Sequence, residues 1–194
     1  MSALAHPRLS VEEYLKLDRS AEFKSEFYDG CMYAMSGGSP AHALIIPNVA
    51  AELRNALKQR SCTVYVTELR VRVTRNAYTY PDIAVVCGTP RFADDQKDTL
   101  INPTLLVEVL SPSTEAHDRG MKFAYYRKLE SLQEYALVSQ SEPRVEIFRR
   151  QSSGDWLLSE SVGTDAFVRF ESLDCRIALS EIYHQVEFPE QPTP

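Results

Sequence analysis

The stretch PTLLVEVLSPSTEAHDRGMKFAYY, residues 103–126, decides the fold because it predicts a strand, a turn and a helix in direct succession. Five of the residues 105–110 are Leu or Val, a composition typical of a strand that is buried on both faces. Gly120 is a weak point near the first turns of the helix. Glu108 interrupts the apolar strand, and a buried carboxylate is costly unless a partner or a ligand compensates it. Glu108 is therefore the first candidate functional residue.

Helix and turn signals precede this stretch. The segment SVEE, residues 10–13, has the capping-box pattern that opens a helix. Asp29 and Gly30 lie between two alternating runs, which predicts a hairpin. A further helix over residues 37–60 has Ser39 as its N-cap, and the proline inside it, Pro47, should kink the helix or delay its start.

Several strands complete the pattern. We expect one long strand at 62–74, a short strand at 80–88, a surface loop at 91–103 and a buried strand at 134–140. Residues 144–183 predict further strands and a short closing helix. Together these segments predict a single α/β domain over residues 1–188 with a helix–strand–strand–strand–helix–strand core, and a disordered tail at 189–194.

The bulk composition excludes some classes of protein. The 194-residue chain has no apolar run of the about 18–20 residues that span a membrane and no secretory signal, so we expect a cytoplasmic protein. Its cysteines and histidines are too scattered for a zinc site, and the cysteines are expected to be reduced thiols: Cys31, Cys62, Cys87 and Cys175. The net charge of −6 argues mildly against sequence-independent binding of nucleic acid.

A second acid interrupts another apolar strand. Asp82 follows Pro81, and Glu108 lies 26 positions later, so the two carboxylates could converge from adjacent strands. Mg²⁺ is commonly bound by one or two carboxylates, and it activates water for attack on phosphorus. Lys122 could supply the cation that such chemistry also needs. The alternatives are a turn residue for Asp82, an arginine partner for Glu108 and a solvated helix position for Lys122.

The motifs resemble a known family. SEFYDGCMYAMSGGSPAH, YPDIAVV, LLVEVLSPSTEAHDRGMKFAYYRKLESLQEYALV and VEIFRR are similar to the Uma-two branch of the PD-(D/E)XK nuclease superfamily, from about residue 11 to 183. The resemblance implies a restriction-endonuclease-like core with a mixed central sheet and added N- and C-terminal strands. It also implies a Mg²⁺- or Mn²⁺-dependent endonuclease.

Site residues follow from the resemblance. Asp82 and Glu108 match the metal-binding acids of the family, and the backbone carbonyl of Val109 is a further expected ligand. Leu110 stands where the lysine of the superfamily motif would be. In the Uma-two branch the following helix supplies the basic residue, which is Lys122 here.

Four further residues are auxiliary candidates. Glu26 is expected as an extra acid near the metal, or else as a hairpin residue paired with a neighbouring base. His42 would orient water or phosphate, or simply lie near a helix N-terminus. Asp118 could hold Lys122 through a helical ion pair, and Ser111 could cap the helix and touch the site.

The expected substrate is nucleic acid, DNA first. Phosphate contacts could come from five basic residues, although surface arginines are more often only solubilising: Arg70, Arg72, Arg75, Arg127 and Lys128. The alternative function is a catalytically inactive binding or assembly module with the nuclease fold. A third option is a nuclease that acts on RNA or on a nucleotide-like small molecule. A homodimer is expected, with no interface specified.

Overall fold

A computed structural model describes residues 8–35 and 37–188. The predicted tail, 189–194, lies outside the described residues. The described helices are α1 (Val11–Ser20), α2 (Pro40–Ala56), α3 (Glu115–His117), a π-helical segment (Asp118–Lys122), α4 (Phe123–Tyr126) and α5 (Leu179–Ile182). The strands are β1 (Ser25–Tyr28), β2 (Cys31–Ala34), β3 (Cys62–Val66), β4 (Arg70–Thr74), β5 (Ala77–Thr79), β6 (Ile83–Cys87), β7 (Thr99–Leu100), β8 (Leu105–Leu110), β9 (Glu134–Ser139), β10 (Arg144–Arg150), β11 (Trp156–Val162), β12 (Phe167–Phe170) and β13 (Cys175–Ala178).

The predicted helix and hairpin starts are confirmed. Ser10 closes a reciprocal capping box at the start of α1, and the Ser39 hydroxyl accepts a hydrogen bond from the third residue of α2. Pro47 lies inside α2 and does not delay its start. Asp29 and Gly30 join β1 to β2 with φ values of 47° and 95°, the positive pair that a tight hairpin turn requires.

A mixed six-stranded sheet forms the centre of the molecule, in the order β11-β10-β9-β8-β6-β3. Strand β8 is parallel to β9 and antiparallel to β6. All six residues of β8 are buried, as expected for a central strand covered on both faces. Its odd-numbered residues pack in a cluster with α2, and Leu106 and Leu110 pack in a second cluster with Tyr126. The predicted mixed α/β core is confirmed.

The N-terminal hairpin belongs to a second sheet, in the order β2-β1-β5-β4-β7. The long strand predicted over residues 62–74 is wrong, because the chain divides there between the two sheets. Thr67 adopts the left-handed conformation (φ 47°) and donates its backbone N–H to the carbonyl oxygen of Asp82 at 2.8 Å. This break sends β3 to the central sheet and β4 to the second sheet. The predicted loop at 91–103 also contains β7.

The helix predicted after β8 is not continuous. It begins at α3, passes through the π-helical segment and ends in α4. Gly120, the predicted weak point, lies inside the π-helical segment. Single π-helical turns inside α-helices are frequent at functional sites because they redirect side chains.

The prediction of four reduced thiols is wrong for two of them. Cys62 on β3 and Cys87 on β6 face each other in the antiparallel register and form a disulfide. Their separation of 25 residues hid this cross-strand pairing in the sequence. Cys31 and Cys175 are free. Within the described ranges, no helix combines the length and apolarity that a membrane crossing requires.

Candidate active site

Asp82 and Glu108 meet at the junction of β6 and β8. The antiparallel register pairs Ile83 with Val107. Asp82 precedes Ile83 and Glu108 follows Val107, so these two acids lie opposite each other. Asp82 Oδ2 accepts a hydrogen bond of 2.7 Å from the backbone N–H of Val109. Because the N–H and C=O of a strand residue point to the same edge, the Val109 carbonyl also faces the Asp82 side. The three predicted metal-binding groups are therefore brought together.

Glu108 points away from α2, toward the second sheet. It shares the face of β8 that carries Leu106 and Leu110, and its side chain is almost fully buried. Tyr126 donates a hydrogen bond of 2.7 Å to Glu108 Oε1, and the Tyr126 hydroxyl also lies 3.2 Å from Thr79 Oγ1. A buried polar group needs such partners.

Lys122 lies at the end of the π-helical segment and points back to β8. Its Nζ atom is 2.9 Å from Glu108 Oε1, 3.0 Å from Glu26 Oε1 and 3.6 Å from Asp118 Oδ1. Its side chain is only 6% exposed, so the alternative of a solvated helix lysine is wrong. The predicted ion pair with Asp118 is present, and it is the longest of the three.

Glu26 joins this cluster from strand β1. Besides Lys122, it accepts hydrogen bonds from the backbone N–H of Tyr80 at 3.2 Å and from the Tyr28 hydroxyl at 2.9 Å. Burial opposes the ionisation of Glu26, but the Lys122 ammonium and hydrogen bonds from its neighbours outweigh it and lower the pKa of Glu26 to about 2. Glu26 is therefore a charged member of the site and not a surface hairpin residue.

The cluster has more acids than bases. Burial, together with the charges of Asp118, Asp82 and Glu26, raises the pKa of Glu108 well above its ordinary range although Lys122 is adjacent. Burial likewise raises the pKa of Asp118. Burial disfavours the charged form of Lys122, but Glu108 and the other acids raise its pKa further, so the ammonium persists. Lys122 pairs with three carboxylates, and Asp82 lies beside them, so the ionised forms of all four acids need more positive charge than one ammonium supplies.

His42 contacts Asp82 from α2. Its Nε2 atom lies 3.4 Å from Asp82 Oδ2, and the hydrogen bond to Asp82 raises the pKa of His42. Gly38 packs closely on this ring, since a Cβ atom added there would lie 2.7 Å from His42 Nδ1. His42 is thus held in place against the acid, as the prediction of an orienting role requires.

These groups line a cleft of about 350 Å³. The predicted residues in its wall are Glu26, His42, Asp82, Glu108, Val109, Ser111, Asp118 and Lys122. Ser111 accepts a hydrogen bond from the backbone N–H of Thr114 at 3.2 Å, as a turn cap before α3, and also reaches the cleft as expected.

The donor set fits a divalent cation that keeps water ligands. The described contacts of Glu108 use Oε1 and those of Asp82 use Oδ2, so each carboxylate has a second oxygen free of protein hydrogen bonds in the described part of the chain. Among the described residues, no three or more His, Cys, Asp or Glu side chains are grouped so that they could hold a metal ion by themselves. Two carboxylates and a carbonyl, completed by water, are the kind of set that Mg²⁺ accepts.

The arginines predicted to contact phosphate are not at this cleft. Arg70 is 2% exposed and forms ion pairs with Asp18 and, at 2.9 Å, with Asp98. The predicted phosphate-binding role of Arg70 is therefore wrong, because its guanidinium is buried against Asp18 of α1 and is already paired. Arg72 and Arg127 are not among the residues that line the cleft.

Sequence reasoning missed three aromatic groups of the site. Tyr28 and Tyr126 donate hydrogen bonds to Glu26 and Glu108, and His117 Nε2 lies 3.6 Å from Glu26 Oε2. The only available signal was spacing, since Tyr126 lies one helical turn beyond Lys122 and so shares its face.

The fold and the site together define the class of the protein as restriction-endonuclease-like. The structure matches that of a putative nuclease belonging to DUF820 from Anabaena variabilis, with a TM-score of 0.74 and 21% identity over 90% of this chain and 97% of that chain. At this identity the match concerns the fold alone.

Residues 11–180 match the Uma2 (Uma-two) family, described as "Putative restriction endonuclease", and the chain belongs to this family. Two uncharacterized proteins of Synechocystis sp. are similar over most of their length. One is 38% identical over 94% of this chain and 95% of its own, and the other is 34% identical over 84% of this chain and 92% of its own. The resemblance inferred from the motifs is confirmed.

Proposed function

We propose that this protein is a Mg²⁺- or Mn²⁺-dependent endonuclease that hydrolyses phosphodiester bonds of nucleic acid, DNA in the first place. The observation that carries the proposal is the convergence of Asp82, Glu108 and Lys122 from three elements in one cleft. The family description and the class of the structural relative agree with it.

Asp82, Glu108 and the Val109 carbonyl would hold the cation. A bound Mg²⁺ would lower the pKa of a coordinated water and polarise the phosphoryl group. The raised pKa of Glu108 supports this assignment, because the ionised form needs more positive charge than Lys122 alone provides.

The other residues act on water and on the phosphate. Lys122, held by Glu26 and Asp118, supplies a fixed positive charge beside the negative charge that develops on the phosphate. His42, which contacts Asp82, would orient a water molecule or a phosphate oxygen. Burial of the cluster strengthens each of these interactions relative to bulk water.

A cleavage assay tests the proposal. Supercoiled plasmid, linear duplex and single-stranded DNA are incubated with wild type, Asp82→Ala and Glu108→Ala, in Mg²⁺, in Mn²⁺ and in chelator. We expect cleavage only by wild type with metal. Exposed Glu130→Ala, purified in parallel, is the control for contaminating nucleases and should cleave like wild type. Equal cleavage by all four proteins, or cleavage in chelator, would refute the proposal.

A second candidate is a nuclease-fold binding or assembly module without turnover. Two observations favour it: Lys122 already pairs with two of the acids, and Leu110 occupies the strand position of the usual lysine. Calorimetric titration separates the candidates. Binding of Mg²⁺ or Mn²⁺ that disappears in Asp82→Ala supports the nuclease, and the absence of any metal-binding heat supports the module.

A homodimer is also proposed, and its best support is strand β11. This strand is the edge of the central sheet, and three of its apolar side chains are exposed: Leu157, Leu158 and Val162. An exposed apolar edge is a template for pairing with another chain. Analytical ultracentrifugation should give twice the monomer mass for wild type and a monomer for Leu158→Lys. A monomeric wild type would contradict the proposal.

A further inference from the structure

An exposed aromatic ring lies beside the acid cluster, which consists of Glu26, Asp82, Glu108 and Asp118. Tyr33 on β2 pairs across the hairpin with Glu26 on β1, so both side chains lie on the same face of the strands, about 5 Å apart at Cβ. Tyr33 is 49% exposed and lines the cleft together with Met35, which is 40% exposed. The part of the cleft next to these acids is therefore apolar and aromatic.

The buried ring of Tyr28 supports Tyr33. The ring of Tyr28 packs edge-on against Tyr33, with 5.8 Å between centroids, and Tyr125 packs on Tyr28 at 5.0 Å. Tyr28 is itself anchored by its hydrogen bond to Glu26. Tyr33 thus presents a supported ring to the cleft, which reduces the entropy that a ligand stacked on it would cost.

The cleft is poorly suited to a duplex. Its volume of about 350 Å³ is that of a small-molecule site. Proteins that bind duplex nucleic acid neutralise several phosphates with Lys and Arg. Among the described residues that line the cleft, Lys122 is the only Lys or Arg, and it is already paired with Glu26 and Glu108. Phosphate contacts can therefore supply little of the affinity.

We propose that the cleft binds an unpaired nucleotide of a single-stranded nucleic acid, with the base stacked on Tyr33 and the nucleotide lying beside the proposed metal-binding acids Asp82 and Glu108. This inference rests on the proposed nuclease function and specifies its substrate. Stacking on an aromatic side chain is sequence-tolerant and needs no basic groove. Single-stranded DNA and RNA share this chemistry, and the experiment distinguishes them.

The test measures binding without cleavage. Glu108→Gln keeps the shape of the side chain and removes a metal-binding acid, so it serves as the background protein in Mg²⁺. Fluorescence anisotropy then gives Kd for a labelled single-stranded DNA, the RNA of the same sequence, and the corresponding blunt duplex. We expect at least one single strand to bind about tenfold more tightly than the duplex.

Variants of Tyr33 identify the stacking residue. Adding Tyr33→Ala should weaken single-strand binding about tenfold, adding Tyr33→Phe should leave it within about twofold, and neither should alter duplex binding. Phe23→Ala is the matched control, since Phe23 is an exposed aromatic (75%) that does not line the cleft. Unchanged thermal unfolding shows that the hairpin remains folded in Tyr33→Ala.

The outcomes separate this inference from the proposed function. Three results would overturn the inference: a preference for duplex, equal single-strand binding by the Glu108→Gln protein with and without Tyr33→Ala, or no binding of any oligonucleotide. Metal-dependent cleavage that needs Asp82 but prefers duplex would leave the nuclease proposal intact. Tyr33-dependent binding of a single strand without cleavage by the wild-type protein would instead support the inference and contradict turnover.

Discussion

Replacing Glu26 by Gln should make the stability of the protein less dependent on pH. The folded chain lowers the pKa of Glu26 from an ordinary 4.5 to about 2. Each pKa unit corresponds to about 1.36 kcal/mol, so the ionised carboxylate contributes about 3 kcal/mol to the free energy of unfolding. A depressed folded pKa gives stability that is fully present above about pH 4.5 and is lost as the pH falls toward about 2.

The assay is urea unfolding of wild type and Glu26→Gln in chelator, at intervals from pH 7 to pH 2. We expect the variant to be less stable by about 3 kcal/mol at pH 7, with a difference that shrinks below about pH 4.5 and approaches zero near pH 2. Exposed Glu130→Gln is the control and should follow wild type throughout. A difference that is absent at pH 7, or constant over the whole range, would refute the reasoning.

Two other substitutions test neighbouring parts of the site. Lys122→Met leaves buried carboxylates without their cation and should lower the free energy of unfolding, measured with urea, by about 3–5 kcal/mol. Exposed Lys16→Met should change it by less than about 0.5 kcal/mol, and equal effects of the two substitutions would contradict the buried ion cluster. Gly38→Ala should displace the ring of His42 and lower kcat by about ten- to a hundredfold. Gly37→Ala, with no described atom within 4 Å of the added Cβ, should leave kcat unchanged, and equal kcat values for the two variants would contradict a role of His42 in catalysis.

Local signals in the sequence were sufficient for much of the fold. The capping box at Ser10, the turn at Asp29 and Gly30, and the apolar run around Glu108 each specify structure through neighbouring residues. Glu108 was identifiable as a site residue because its burial is unfavourable without a partner. Asp82 and Lys122 were predicted as its partners from their positions in the sequence, and the family resemblance supported both.

Features that depend on distant contacts were not predictable in this way. Arg70 lies in an alternating strand that looks solvent-exposed, and only the packing of α1 on the second sheet shows that it is buried against Asp18. The break at Thr67 requires a left-handed backbone that threonine rarely adopts. The pairing of Cys62 with Cys87 depends on strand register, which local composition does not specify.

The central claim is that Asp82 and Glu108 together bind a divalent metal ion. Crystals of the wild-type protein soaked in Mn²⁺, measured for anomalous scattering, test it most directly. We expect an anomalous peak between the carboxylates of Asp82 and Glu108, within coordination distance of the Val109 carbonyl and absent in Asp82→Ala. No peak in the cleft, with Lys122 still in contact with Glu108, would contradict the claim.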